Sequence, residues 1–129
     1  MLRFLCVLAA ILLPGGASLS QAAPNADADF AAHIQKAKQH LDEKRLDLAI
    51  PELEAAATIH PDSVETQANL GVLLYFQNRI AEAIPCLRVA IDSQPGLSRL
   101  QGLLGLADVH VGDVVSARKD LEAAFPLVT

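Results

Sequence analysis

Apolar residues recur every three or four positions along most of the chain from about residue 29 onward. This spacing places them on one side of an α-helix and predicts a series of short amphipathic helices. Pro61, Pro95, Pro126 and the Gly112-Asp113 pair punctuate the pattern, because proline and glycine end helices and favour turns. The predicted helices span residues 29–43, 46–59, 63–77, 80–93, 97–111 and 114–125.

The same pattern returns after 34 positions. Gly71 corresponds to Gly105, and Leu87 corresponds to Leu121. A small residue at such a position lets two helix axes approach closely, and a large apolar residue fills the space between them. A fixed period of this length is the signature of an array of stacked helical repeats.

Six positions of the middle repeat define the unit most clearly: Leu70, Gly71, Ala83, Leu87, Ala90 and Pro95. Together they resemble the tetratricopeptide repeat, a helix–turn–helix unit of the same length. The resemblance implies an all-α, right-handed α-solenoid of about three repeats and six helices, and the N-terminal sequence places a signal helix before it. The predicted segments are a signal peptide at 1–22, a linker at 23–29, a degenerate repeat at 30–63, a second repeat at 64–97 and a truncated third repeat at 98–129. Asp62 and Glu65 predict a capping box at the start of the second repeat.

The N-terminus has the pattern of a secretory signal peptide. Residues 1–3 are a short positive start, residues 4–13 are an unbroken apolar run, and a small-x-small cleavage motif ends at Ala22. The apolar run is too short to span a bilayer as a helix, and a retained membrane anchor is the lesser alternative. The sequence therefore predicts export to the periplasm or the extracellular space, cleavage near Ala22, and no membrane span afterwards.

Little in the remaining sequence indicates catalysis. Removal of Arg3 with the signal leaves nine basic residues against 15 acidic ones, a net charge near −6, which argues against nucleic acid as a partner. Cys86 is then the remaining cysteine, and a lone cysteine on an apolar helix is usually a small hydrophobic residue. His33 and His40 share a helix face, but partly buried packing is a better interpretation than a metal pair. The sequence predicts a non-catalytic protein that binds no metal and no cofactor. A hydrolase that uses Cys86 or a histidine is a minor alternative.

The resemblance also implies a binding groove, since the first helix of each repeat lines the concave side of such an array. The residues expected there include Lys38, Asn69, Val72, Tyr75, Phe76, Arg99, Leu106 and His110. Some family members clamp a peptide's C-terminal carboxylate in this groove. Asn69 and Arg99 match the clamp, but Lys38 stands where the family has asparagine, and Ile34 and Leu103 replace two basic residues. We therefore expect an apolar extended or helical segment of a partner protein. The alternative, weighed equally, is that these residues pack against neighbouring helices.

The C-terminal end predicts a second apolar surface, because a solenoid normally needs a capping helix with a polar outer side. The residues expected on this edge are Leu121, Phe125, Leu127 and Val128. The edge indicates either a truncated longer array or self-association. The predicted function is a protein–protein interaction scaffold, and the alternative is a non-catalytic part of a larger secreted or membrane-associated multi-repeat enzyme or assembly.

Overall fold

The computed structural model describes residues 25–126, which form six α-helices and no strand. The helices are α1 (Ala26–Asp42), α2 (Leu46–Ile59), α3 (Val64–Phe76), α4 (Ile80–Ser93), α5 (Ser98–Val111) and α6 (Val114–Ala124). Each helix packs mainly against the other helix of its repeat and to a smaller extent against the neighbouring repeat, and α3 also touches α5. This arrangement confirms the predicted all-α solenoid of helix–turn–helix repeats.

The helix bounds follow the apolar pattern closely. Helices α2 and α4 have the predicted bounds, and the others differ by one to three residues. The largest difference is at the start of α1, which begins at Ala26, so that residues 26–29 are helical where the sequence indicates a linker. Asp27 and Asp29 lie in the first turn, where negative charge interacts favourably with the helix dipole.

The start of α3 is capped differently from the prediction. Ser63, and not Asp62, is the N-cap residue, and its Oγ accepts a hydrogen bond from the Thr66 backbone N–H at 3.4 Å. The Ser63 hydroxyl also donates to Thr66 Oγ1 at 2.9 Å, and Gln67 Nε2 donates to the Pro61 carbonyl at 2.8 Å. These bonds fix the turn between the first two repeats without a role for Glu65.

The two helices of a repeat approach each other most closely at a glycine. A Cβ added to Gly71 would lie 2.8 Å from Leu87 Cδ2, and one added to Gly105 would lie 2.6 Å from Leu121 Cγ. Both distances are well below the usual separation of about 3.5–4.0 Å between carbon atoms. The 34-residue period therefore repeats a packing contact as well as a sequence pattern.

The turns inside the repeats also share one backbone geometry. Each contains a residue with positive φ at the equivalent position: Lys44 (58°), Asn78 (62°) and Gly112 (82°). Three equivalent hydrogen bonds close the turns: Lys44 N to Leu41 O, Asn78 N to Tyr75 O, and Gly112 N to Val109 O, at 2.9, 3.0 and 3.1 Å. Glycine adopts this left-handed conformation without steric cost, whereas lysine does not.

Candidate peptide-binding groove

The first helices of the first two repeats enclose a pocket of about 370 Å³. Lys38 of α1 and Asn69 of α3, which the sequence assigns to the groove, both line it. Its other lining residues are Phe30, Ile34, Ala37, Leu41, Leu53, Ser63, Glu65 and Thr66. The walls are mainly apolar, and the exposed polar groups of Lys38, Glu65 and Asn69 lie beside them. Such a combination can bury an apolar side chain and hydrogen-bond to the backbone that carries it.

Farther along the array, three rings predicted to lie in the groove form a cluster. The centroids of Tyr75 and Phe76 are 5.5 Å apart, and those of Tyr75 and His110 are 6.1 Å apart, both in edge-to-face geometry. Phe76 is 68% exposed and Leu106, one helical turn before His110, is 48% exposed. Large apolar side chains with this degree of exposure, when they cluster, are typical of an interaction surface.

Not every predicted groove residue is free to contact a ligand. Val72 and Tyr75 are half-buried and pack against the hydrophobic core. Arg99 lines a shallow depression with Gly96 and Leu100, and not the pocket that holds Lys38 and Asn69. The structure thus separates two residues of the incomplete clamp from the third. It leaves Phe76, Leu106 and His110 as the exposed members of the aromatic end.

Five pocket residues were not predicted from the sequence: Phe30, Ala37, Leu53, Ser63 and Thr66. Phe30 precedes the groove positions of the repeat register, Ser63 belongs to the inter-repeat turn, and Leu53 comes from α2. Phe30 also packs edge-to-face on His60 with centroids 4.7 Å apart. Phe30 is the one aromatic residue in α1. An aromatic residue in an otherwise non-aromatic helix could have indicated a pocket position, because an aromatic side chain buries a large apolar area when it packs.

Two histidines of the first repeat, His33 and His40, lie near carboxylates. His33 Nδ1 lies 2.6 Å from Glu52 Oε2 of α2, and this hydrogen bond lowers the pKa of Glu52 below its usual value. His40 Nδ1 is buried without a hydrogen-bond partner, and it is 3.8 Å from Glu43 Oε2. Across residues 25–126, no three histidine, cysteine or acidic side chains come together as metal ligands would.

Cys86 has the surroundings of a packing residue. Its side chain is half-buried and packs against the hydrophobic core. Burial raises the pKa of its thiol above the usual value, which disfavours the nucleophilic thiolate. Its surroundings therefore act on balance against the activation that a catalytic cysteine requires.

The structure describes two of the four residues predicted on the C-terminal edge. Leu121 is half-buried, because it fills the space above Gly105. Phe125 is 69% exposed, although one edge of its ring lies near Gly102. Leu127 and Val128 lie outside the described residues, as does the predicted signal peptide. Within residues 25–126, no helix combines the length and the apolar character that crossing a bilayer requires.

Comparison with known proteins shows the family. A family model described as "Tetratricopeptide repeat" matches residues 40–107, which is more than half of the chain. The chain belongs to the tetratricopeptide repeat family. No curated protein matches it. Repeats of this family generally serve as non-catalytic scaffolds for protein–protein interaction.

Solved structures share the fold at low sequence identity. A MamA protein superposes with a TM-score of 0.67 at 19% identity, over 74% of this chain and 52% of the MamA chain. The MamA RS-1 ArsTM double mutant gives 0.64 at 24% identity, over 74% and 53% of the two chains. The TPR2B domain of yeast Sti1, in a complex with pHsp70, gives 0.62 at 20% identity, over 75% and 78%. The chain thus spans about half the length of these two MamA proteins.

Proposed function

We propose that this protein is an interaction scaffold that binds an apolar segment of a partner protein, extended or helical, along the first helices of its repeats. The observation that carries the proposal is the pocket of about 370 Å³ between α1 and α3, with mainly apolar walls and an open mouth. Exposed Phe76 and Leu106 extend the apolar surface toward α5. Burial of these surfaces by a partner would supply the binding free energy.

The polar groups beside the pocket favour a peptide over a small apolar molecule. Lys38 and Asn69 can donate hydrogen bonds to peptide carbonyl groups, and Glu65 can accept from an N–H group. Because Arg99 lies apart from Lys38 and Asn69, a C-terminal carboxylate would not be held by all three. The ligand we propose is therefore an internal segment rather than a chain terminus. The Sti1 domain with the same fold forms a complex with pHsp70, which supports a protein ligand for this fold.

The test uses peptides, because the natural partner is not identified. A displayed library of 12-residue peptides is selected on the purified protein, and each selected peptide is titrated by isothermal calorimetry. Phe76→Ala and Leu106→Asp should each weaken binding tenfold or more, because both side chains are exposed and can be changed without opening the core. Val115→Ala is the matched control, since Val115 is 83% exposed but lies on α6. An equal loss of peptide affinity in all three variants, or no loss in any of them, would contradict binding at the proposed groove.

We further propose that the protein acts outside the cytoplasm, as the first 22 residues indicate. The support is the order of a positive start, an apolar run and a small-x-small motif. Mass spectrometry of the protein recovered from its native compartment tests the proposal. A mature N-terminus near Ala23 is expected, and a retained Met1 in the cytoplasmic fraction would refute export.

A further inference from the structure

A buried acidic side chain lies where the last three helices meet. Asp108 of α5 is 1% exposed, and its Oδ1 accepts a hydrogen bond from Arg88 Nη2 of α4 at 3.1 Å. Its Oδ2 is buried and accepts no hydrogen bond from the described residues. Asp120 of α6 lies within hydrogen-bonding reach of the same carboxyl group. Two acids from neighbouring helices therefore lie together, and Arg88 pairs with one of them, Asp108.

This arrangement is unfavourable when both acids are ionised. One negative charge then has no balancing partner in a buried place, and the buried oxygen lacks a donor. Burial, and then the hydrogen bond with Asp120, raise the pKa of Asp108, while Arg88 opposes the shift. A single proton between the two carboxyl groups would remove the repulsion and supply the missing donor.

The other repeats show that the fold does not require two acids here. The positions equivalent to Asp108 and Asp120 are Leu74 and Cys86 in the second repeat, and His40 and Glu52 in the first. Leu74 and Cys86 make an apolar contact with the core, and a histidine beside a glutamate can attract it. The last repeat alone among the three combines like charges.

We propose that Asp108 and Asp120 are a proton-binding pair which holds α6 against α5 more firmly in mildly acidic than in neutral solution. The charged group that faces Asp108 from α4 is Arg88. Asp113, in the turn between α5 and α6, has its pKa lowered mainly by hydrogen bonding with Ser116 and, to a smaller extent, by the charge of Arg88.

The sign of the pH dependence follows from the direction of the shift. A carboxyl group whose pKa is raised by folding makes the native state bind the proton more tightly than the unfolded chain. The added stability is fully present below the unfolded value of about 3.9 and is lost as the pH rises through the folded value. Within that window, the unfolding equilibrium constant rises by up to tenfold for each pH unit, which corresponds to one proton.

The test compares urea unfolding of the purified full chain by circular dichroism from pH 4 to pH 8, with hydrogen exchange of the α6 amides. Asp120→Asn should flatten the profile in the acidic window and slow the α6 exchange at pH 7.5, because the carboxamide donates to Asp108 at every pH. Asp92→Asn makes the same change in net charge at an exposed position on α4 and should keep the wild-type profile. If Asp120→Asn fails to fold, Asp108→Asn provides the same donor from α5 and should show the same flattening.

Parallel profiles for the wild type and either carboxamide variant would overturn the proposal. A profile that changes with pH only after millimolar Ca²⁺ is added would also overturn it, because the pair would then be a cation site. The inference does not depend on the groove, and peptide binding is not part of its test.

Discussion

Replacement of Gly71 by alanine tests the close packing of the repeat. The new Cβ would lie 2.8 Å from both Cδ2 and Cγ of Leu87 and 3.2 Å from the Leu87 backbone nitrogen. Leu87 is fully buried, so its side chain has no space into which it can rotate. Overpacking of this kind costs about 1–3 kcal/mol. The higher helix propensity of alanine offsets about 0.8–1.0 kcal/mol of this cost. The expected net effect is a loss of stability of up to about 2 kcal/mol.

Gly102→Ala is the matched control for that prediction. Its Cβ would meet Phe125 Cε2 at 3.3 Å, the end of a ring that is mostly exposed and can move aside. Helix propensity should then dominate, and the variant should gain about 0.5–1 kcal/mol. Urea unfolding followed by circular dichroism measures both variants. A Gly71→Ala protein at least as stable as the wild type would refute the close approach of α3 and α4.

Two further predictions concern the first repeat. Lys44→Gly should stabilise the protein by about 0.5–1 kcal/mol, measured by urea unfolding. The reason is that Lys44 has a φ of 58° at the position that Gly112 occupies in the third repeat. A loss of stability would show that the lysine side chain stabilises the turn. Glu52→Gln should remove a contribution that is present above the unfolded pKa of about 4.3 and is lost as the pH falls through the lower folded value. The unfolding free energies of this variant and the wild type should converge in acid and differ near pH 6. A difference that stays constant over this pH range would exclude the His33–Glu52 hydrogen bond as the cause.

The local pattern was sufficient to predict the helices and the repeat. Helices α2 and α4 were predicted to the residue, because apolar periodicity and turn residues are local signals. The Gly71–Leu87 contact could be anticipated because it returns at Gly105.

Contacts across helices were harder to predict. His33 and Glu52 are 19 positions apart, and Asp108 and Asp120 are 12 apart, so neither pair shares a helix face. Their meeting depends on how the helices cross and on side-chain rotamers, which the periodicity does not encode. The position of Phe30 in the pocket lining was not predicted for the same reason. The cap at Ser63 was missed because Asp62, Ser63 and the residues around them are all plausible caps by type.

The separate segments of the candidate groove were predicted as one surface. The periodicity predicted that Arg99 and Lys38 lie on the first helices of their repeats, and the structure agrees. The periodicity does not predict which pair of first helices has a pocket between its members. That pocket lies between α1 and α3, and the small residues Ala37 and Thr66 are part of its lining. The volume of a pocket depends on the sizes of facing residues from different repeats.

The central claim is that the first helices of the repeats form the peptide-binding surface. The most direct measurement is a map of backbone amide chemical shifts, by nuclear magnetic resonance, during titration with a selected peptide. The claim predicts that the changes concentrate at Lys38, Asn69, Phe76 and Leu106, on the three first helices. Changes concentrated on α6 around Val115, with the first helices unaffected, would contradict it and place the interaction on α6.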